Sequence, residues 1–299
     1  MLQLYIMNTR KLIGTICVLL AATFWGLGGI AGQFLFENYH ISAAWLIMLR
    51  QIFSGLIFLT IAYFQGANII KPVKHNFSSL VIFSAFGAFC CQYGFFWCVE
   101  LCNAPTATVL QYTCPVLVML WEYFRGDDDL NLKEYLGVIL TITGVFLVCT
   151  HGDYTTLHLS PLTMFSGALS AIGMAFYKVY PLQLLRKYSI ATVLGWGQLF
   201  SGVGIMTMTN PFDIVPSWDW QATAAALFLL LGATVLTFWL DMKGLMIIGP
   251  IQTSMISSWE PVCSMLAAVL LLHTPLVLAD FAGITCIVLT ILLLSLPKK

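Results

Sequence analysis

Ten apolar runs, each close to the length that crosses a bilayer, follow one another along this chain with short connections between them. A spanning helix needs about 20 mostly apolar residues. The runs fall at about 12–36, 41–64, 79–101, 104–124, 134–150, 161–181, 190–209, 221–244, 250–272 and 277–296. Of the 299 residues, 60% are hydrophobic and 9% charged, where a soluble domain carries about 25% charged residues. So few polar residues cannot coat a soluble globule of this size. The first run follows Arg10 and Lys11 and continues to about Phe36, too long for the apolar stretch of a signal peptide. The longer connections, 125–133 and 210–219, carry turn and polar residues.

Lysine and arginine sort by connection. Arg10 and Lys11 precede the first run, Lys71 and Lys74 follow the second, Arg125 and Lys133 the fourth, and Arg186 and Lys187 the sixth; Lys298 and Lys299 end the chain. The eighth connection is bare, with Lys243 just before it, and the first, third, fifth, seventh and ninth carry none. Ten spanning helices with both termini in the cytoplasm predict that pattern. The net charge is zero, from 13 basic and 13 acidic residues, so no basic excess points to nucleic acid. Cys17, Cys90, Cys91, Cys98, Cys114, Cys149, Cys263 and Cys286 lie within apolar runs and Cys102 at the edge of one. They are expected to pack as small apolar residues. His40, His75, His151, His158 and His273 lie between runs and show no zinc spacing. No metal or cofactor is expected.

The two halves match at a shift of about 146 residues. RQIFSG (50–55) lies over GQLFSG (197–202), KEYLG (133–137) over ADFAG (279–283), and CPV (114–116) over EPV (260–262). Glu134 then matches Asp280, Gly137 matches Gly283, Thr108 matches Ser254, Gln111 matches Ser257, Tyr112 matches Ser258 and Pro115 matches Pro261. Matches in one order at nearly one shift indicate a duplication. Five spans per half is an odd number, so the second copy enters the membrane from the other side. The expected fold is an all-α membrane protein of ten transmembrane helices, built as two five-helix inverted repeats at 12–150 and 161–296. Substrate sites in such folds lie near the midplane between the repeats, beside interrupted helices.

The stretch SSWEPV (257–262) interrupts an apolar run that has no other charge from Leu245 to Leu272. Glu260 is about ten residues from either end of its run, near the midplane, where an ionised side chain costs about 2.5–3.5 kcal/mol on insertion scales. A watery cavity, a partner or a proton lowers that cost. Pro261 removes a backbone donor and frees a carbonyl one turn earlier. Gln252, Ser257, Ser258 and Glu260 form a polar streak on an apolar helix. Glu260 is therefore either a cavity residue, touching substrate or a proton, or a glue residue between helices. Arg50 in the second run is the candidate partner, and an Arg50–Glu260 pair is possible. Glu100, Glu122, Lys178, Asp241 and Lys243 lie nearer the ends of their runs and are expected to reach the interface.

Small residues in ATFWGLGGIAG (22–32) predict close helix packing at Ala22, Gly26, Gly28 and Gly32. Trp25, Gln92, Tyr93, Trp97, Thr108, Gln111, Tyr112, Tyr177, Trp239, Ser254, Ser257 and Ser258 are candidates for the cavity wall with Glu260 and Arg50, and a minority of the aromatics is expected there. Gln33, Gln51, Trp196 and Gln198 are further candidates. Pro115 and Pro261 are the expected helix breaks. An aromatic lining suits amphipathic organic solutes better than bare ions.

FWG (24–26), Arg50, EYLG (134–137) and WEPV (259–262) resemble the signatures of the drug/metabolite transporter superfamily, in its EamA-type branch. The likeness covers nearly the whole chain, and its weight rests on the order and spacing of short motifs. It implies ten helices in inverted repeats and a central cavity lined by helices one, three, four and six with eight and nine. It also implies export or exchange of amino acids and related metabolites. LHTPL (272–276) stands where the family carries a Gly-Glu pair, and RGDDDL (125–130) at the matching place in the first half; both bear on helix ends.

The expected function is a secondary transporter of small organic metabolites, with a small multidrug exporter of lipophilic cations as the alternative. The expected partners are a small-molecule substrate and the bilayer, with a monomer as the expected state. The chain has no GxxxxGK[ST] loop for direct ATP drive. An intramembrane enzyme would need a catalytic set at membrane depth, and no run carries a histidine, HExxH or GxSxG. A scaffold or receptor would need long soluble loops, which the short connections do not offer.

Overall fold

A computed structural model describes residues 2–102, 104–125, 131–157, 159–210, 212, 218–272 and 277–295. The motif departures at 126–130 and 273–276 lie outside the described residues, as do His158, His273, Lys298 and Lys299. Among the described residues there is no strand. The helical runs are α1 (Leu2–Tyr39), α2 (Ala43–Phe64), α3 (Ile70–Leu101), α4 in two pieces (Ala104–Gln111 and Cys114–Arg125) and α5 (Leu132–Thr150). The second half holds α6 (Pro161–Val179), α7 (Ile190–Ile205), α8 (Trp220–Ile248), α9 in two pieces (Pro250–Ile256 and Trp259–Leu272) and α10 (Leu278–Ser295). Six of these, α1, α2, α3, α5, α6 and α8, are long and apolar enough to cross a membrane. The helices α7 and α10 are shorter apolar helices, and α4 and α9 are broken.

The caps follow from sequence. Ser42, Ser160, Ser189 and Asp219 each accept a backbone N–H from the first turn of the helix they precede, which satisfies a donor that has no partner inside the helix. Asn131 and Glu134 form a reciprocal capping box on α5. In the same way the Asp280 carboxylate accepts the Val277 N–H at 2.8 Å at the start of α10. Matched positions in the two halves thus do the same work. The Lys71 and Lys74 segment, expected as a connection, is helical and opens α3, with a kink at Asn76 (φ −137°, ψ 32°).

Both α3 and α8 contain a π-helical stretch, at Phe83–Phe89 and Phe228–Leu236. The breaks in α4 and α9 fall at Tyr112–Thr113 and Ser257–Ser258. Each break stands just before a proline in the first turn of the second piece, Pro115 and Pro261. Proline lacks the N–H and its ring opposes the carbonyl four residues earlier, so the first piece cannot run on into the second. These paired features recur about 146 positions apart.

Packing is antiparallel. In the α2–α7 pair a β-carbon at Gly55 would sit 2.7 Å from the Leu199 nitrogen, and one at Gly202 would sit 2.8 Å from the Ile52 nitrogen. In the α5–α10 pair Gly144 meets Gly283 backbone to backbone, and Gly137 meets Thr290 and Leu294. The α3–α6 and α1–α8 pairs also run in opposite directions: Gly87 faces Tyr177 and Gly94 faces Ser170, while Gly14 faces Ile248 and Gly28 faces Ala233. Small residues let these backbones meet where apolar lipid gives no hydrophobic drive to associate. All nine cysteines are free thiols.

Candidate functional site

The α9 break brings its carboxylate to the centre of the bundle. Pro261 leaves the Ser257 carbonyl without its helical donor, and that carbonyl accepts the Tyr112 hydroxyl at 2.5 Å and the Glu260 N–H at 3.0 Å. Tyr112 occupies the break in α4, so the two interruptions meet. The same hydroxyl lies 2.9 Å from Glu260 Oε2. Glu260 is 7% exposed and stands in the first turn of the second piece of α9.

Arg50 stands on α2 and is 5% exposed. Its Nε and Nη2 donate to the Thr234 hydroxyl at 3.0 and 2.8 Å, and its guanidinium carbon lies 4.8 Å from the centre of the Phe96 ring. Thr234 belongs to the π-helical stretch of α8, where its own hydroxyl donates to the carbonyl of Leu229, five residues back. The neighbouring Gln51 donates to the Ala88 carbonyl of the α3 π-helical stretch at 3.2 Å. Two adjacent side chains of α2 thus tie down both π-helical stretches, and π-helical turns concentrate at functional places. Arg50 Nη1 has no hydrogen-bond partner among the described residues. Arg50, the candidate partner of Glu260, donates to Thr234 while Glu260 meets Tyr112, and no ion pair joins the two among the described residues.

Between them lies a recess, with Arg50, Gln92, Gln111 and Glu260 as its polar lining and Trp25, Phe95, Phe96 and Phe238 as its aromatic walls. Gln92 donates to Gln198 at 2.8 Å, and its own carbonyl oxygen has no hydrogen-bond partner among the described residues; Gln111 donates to Ser170 at 2.7 Å. The lining includes α2 in addition to helices one, three, four, six, eight and nine. Phe95, Phe96, Phe238 and Gly29 were not singled out by the sequence, and Gly28 was named only as a packing residue in the small-residue stripe of α1.

The other candidates stand apart from the recess. Tyr93 stacks between Phe89 and Trp97, and Trp239 stacks on Phe58. Tyr177 is buried against Phe83 and Phe238. Thr108 and Ser254 turn their hydroxyls back to Ala104 and Ile251 within their own helices, as Ser258 does to Met255. Trp196 donates to the Ile69 carbonyl, and Gln33 to Glu37 near the end of α1.

Lys178 and Asp241 depart from expectation. Both are fully buried and paired, Nζ to Oδ1 at 2.5 Å, and Lys178 also donates to Ser257 Oγ at 3.2 Å. Counting along the sequence put them near an interface, but α8 runs on to Ile248, about two turns beyond Asp241. Glu122 is also buried, whereas Glu100 and Lys243 are exposed.

The EamA-like transporter family profile matches residues 12–150 and 161–296. The uncharacterized inner membrane transporter YicL of Salmonella typhimurium is 33% identical over 98% of this chain and 97% of its own length. The uncharacterized transporter YetK of Bacillus subtilis is 22% identical over 84% of this chain and 78% of its own. A solved crystal structure aligns over 95% of this chain and 96% of its own, with a TM-score of 0.77 at 16% identity, which shows a shared fold. By fold and by kinship, this chain belongs to the EamA-like transporter family and is a multi-pass plasma-membrane transporter.

Proposed function

We propose that this protein is a secondary transporter that exports small organic metabolites, amino acids and their derivatives foremost, by alternating access. One observation carries the proposal. Arg50 and Glu260 stand in different halves of the chain, line one aromatic recess and do not bind each other. A buried guanidinium with a free N–H calls for an anion, and a carboxylate in the same recess calls for a cation. A solute carrying a carboxylate and an ammonium answers both, and the aromatic walls receive its side chain.

The proposal includes ten spanning helices in two inverted repeats, 12–150 and 161–296, with both termini cytoplasmic. Three observations support it. The helix breaks and π-helical stretches recur at one shift, helices at matched positions (α2 with α7, α5 with α10) pack antiparallel, and basic residues favour the even-numbered connections. Inverted halves can exchange conformations, which turns a site open to one side into a site open to the other.

Purified protein in liposomes, offered a panel of labelled amino acids, tests the proposal. Flux of at least one member above protein-free liposomes, lost in Arg50→Leu, is the expected result. Folded protein that carries no panel member refutes the amino-acid assignment. The aromatic walls and Glu260 also suit lipophilic cations, and a small multidrug exporter is the second reading. Toxicity assays with such cations separate the two, since Arg50 repels a purely cationic solute.

A further inference from the structure

The Lys178–Asp241 pair lies outside the recess and has no part in holding its polar lining, yet it touches the same structural break. Lys178 on α6 reaches Asp241 on α8 and Ser257 on α9, and its ammonium lies 5.4 Å from the centre of the Trp25 ring on α1. Trp25 is at once a wall of the recess and a neighbour of this pair. Asp241 Oδ2 has no hydrogen-bond partner among the described residues. Glu260 lies within the electrostatic reach of both Lys178 and Asp241.

Hydrogens can be counted at the break. The Tyr112 hydroxyl has one hydrogen and two acceptors in range, the Ser257 carbonyl at 2.5 Å and Glu260 Oε2 at 2.9 Å. A hydroxyl also accepts, so both contacts become hydrogen bonds only when Glu260 carries a proton and donates to the Tyr112 oxygen. The charges agree. Lys178 with an ionised Asp241 sums to zero, and a protonated Glu260 keeps the cluster at zero. Moving that proton to Asp241 and turning the ammonium towards an ionised Glu260 also sums to zero. Neither arrangement leaves a buried charge uncompensated, which is the costly case.

We propose that Asp241 and Glu260 share one exchangeable proton, with the Lys178 ammonium siding with whichever carboxylate is ionised, and that this proton is the coupling ion of transport. Lys178 stays an ammonium throughout. The proton binds one carboxylate as a carboxyl and leaves to water when the other side of the bundle opens. A substrate ammonium at Glu260 displaces it, so solute and proton travel in opposite directions. The other titratable groups that face the cluster are Arg50 from α2, which shares the recess with Glu260, Tyr177 from α6, Cys91 from α3, and Tyr112 and Cys114 from α4, with Cys149 and Cys263 near Glu260. Apart from the Arg50 guanidinium, all are phenols or thiols, whose ordinary titration lies above neutrality. The inference rests on the carrier reading above and adds its driving ion.

Two measurements on the full-length protein test it. The first needs no transported solute: melting temperature against pH for wild type and for Lys178→Met/Asp241→Asn, which removes both charges of a buried pair. Such replacements are often neutral or stabilising. The expected result is a pH-dependent step in melting whose midpoint moves in the double variant, where Glu260 alone is left of the two carboxylates; identical pH profiles overturn the inference. A step that follows sodium against choline at fixed pH, instead of pH, overturns it in favour of a metal cation. The second uses the labelled amino acid carried by wild type in liposomes. Equal-concentration exchange persists in the double variant, while accumulation driven by an imposed pH gradient falls to the level of protein-free liposomes. Gradient-driven accumulation at the wild-type level in the double variant overturns the inference. If no panel amino acid is carried, the carrier assignment fails, and the melting profiles still decide the shared proton.

Discussion

Adding one methyl group to α1 at Gly26 tests whether the floor of the site is set by backbone contact. A β-carbon there would lie 2.5 Å from the Glu260 carbonyl oxygen and 3.0 Å from the Ser264 nitrogen. Ordinary contact starts near 3.4 Å, so α1 and α9 must part by ~0.9 Å at the level of Glu260. Neither obstacle is the end of a flexible side chain that could swing away. Overpacking of this kind costs about 1–3 kcal/mol, against a gain in helix propensity of up to about 1 kcal/mol for Gly→Ala. The separation also stretches the 2.9 Å bond from Ser264 Oγ to the Gly26 carbonyl. Gly29, almost one turn on, supplies the control, because a β-carbon there meets nothing within 4 Å. Thermal melting of the purified protein in one detergent is the assay. Gly26→Ala should melt below wild type and Gly29→Ala at or above it. Because Gly29 lines the recess, its alanine variant should still weaken substrate binding. Equal melting of the two variants would refute contact control at Gly26.

Glu260→Gln should lower transport far more than expression, as read by flux normalised to folded protein; wild-type flux would make Glu260 structural. Arg50→Leu should raise the Kd of a carboxylate substrate about tenfold or more, the loss expected for a hydrogen bond to a charged group worth about 1.5–3 kcal/mol, as read by ligand-induced thermal shifts; an unchanged Kd would remove Arg50 from the site. Lys178→Met alone should destabilise by about 3–5 kcal/mol, the loss expected when one member of a buried pair is left behind, and Lys178→Met/Asp241→Asn should recover most of it in the same melting assay. At the end of the bundle, the Tyr39 hydroxyl lies 2.6 Å from the Asp219 carboxylate, and that bond and the Ala222 N–H hold Asp219 below its ordinary range. A lowered folded-state value means a contribution that is present above about pH 3.9, the unfolded value, and is lost as pH falls through the folded value. Tyr39→Phe should weaken that acid dependence in melting profiles taken below neutral pH.

The sequence showed the order of the helices because apolar length and turn residues are local properties. It also located the break in α9, because a proline beside a lone carboxylate has a local consequence: the carbonyl freed by Pro261 is the one that receives Tyr112. What it concealed depends on depth and partners. The π-helical stretches at Phe83–Phe89 and Phe228–Leu236 carry no composition of their own, yet they shift the register of everything beyond them and present Thr234 to Arg50. Counting from the ends of an apolar run depends on where the run is taken to end, and Asp241 was misplaced because α8 runs on to Ile248. The partners of Arg50, Lys178, Asp241 and Glu260 could not be read either, since pairing depends on which helices adjoin. Arg50 and Glu260 looked like a pair because each was isolated on its own helix. The structure instead gives Lys178 to Asp241 and leaves Arg50 to a hydroxyl, the Ala233 carbonyl and an aromatic face. That distribution agrees with the carrier of zwitterions proposed above. A closed Arg50–Glu260 bridge would occupy both ends of the recess and compete with any zwitterionic solute, whereas a guanidinium held only by neutral groups keeps its charge for the ligand.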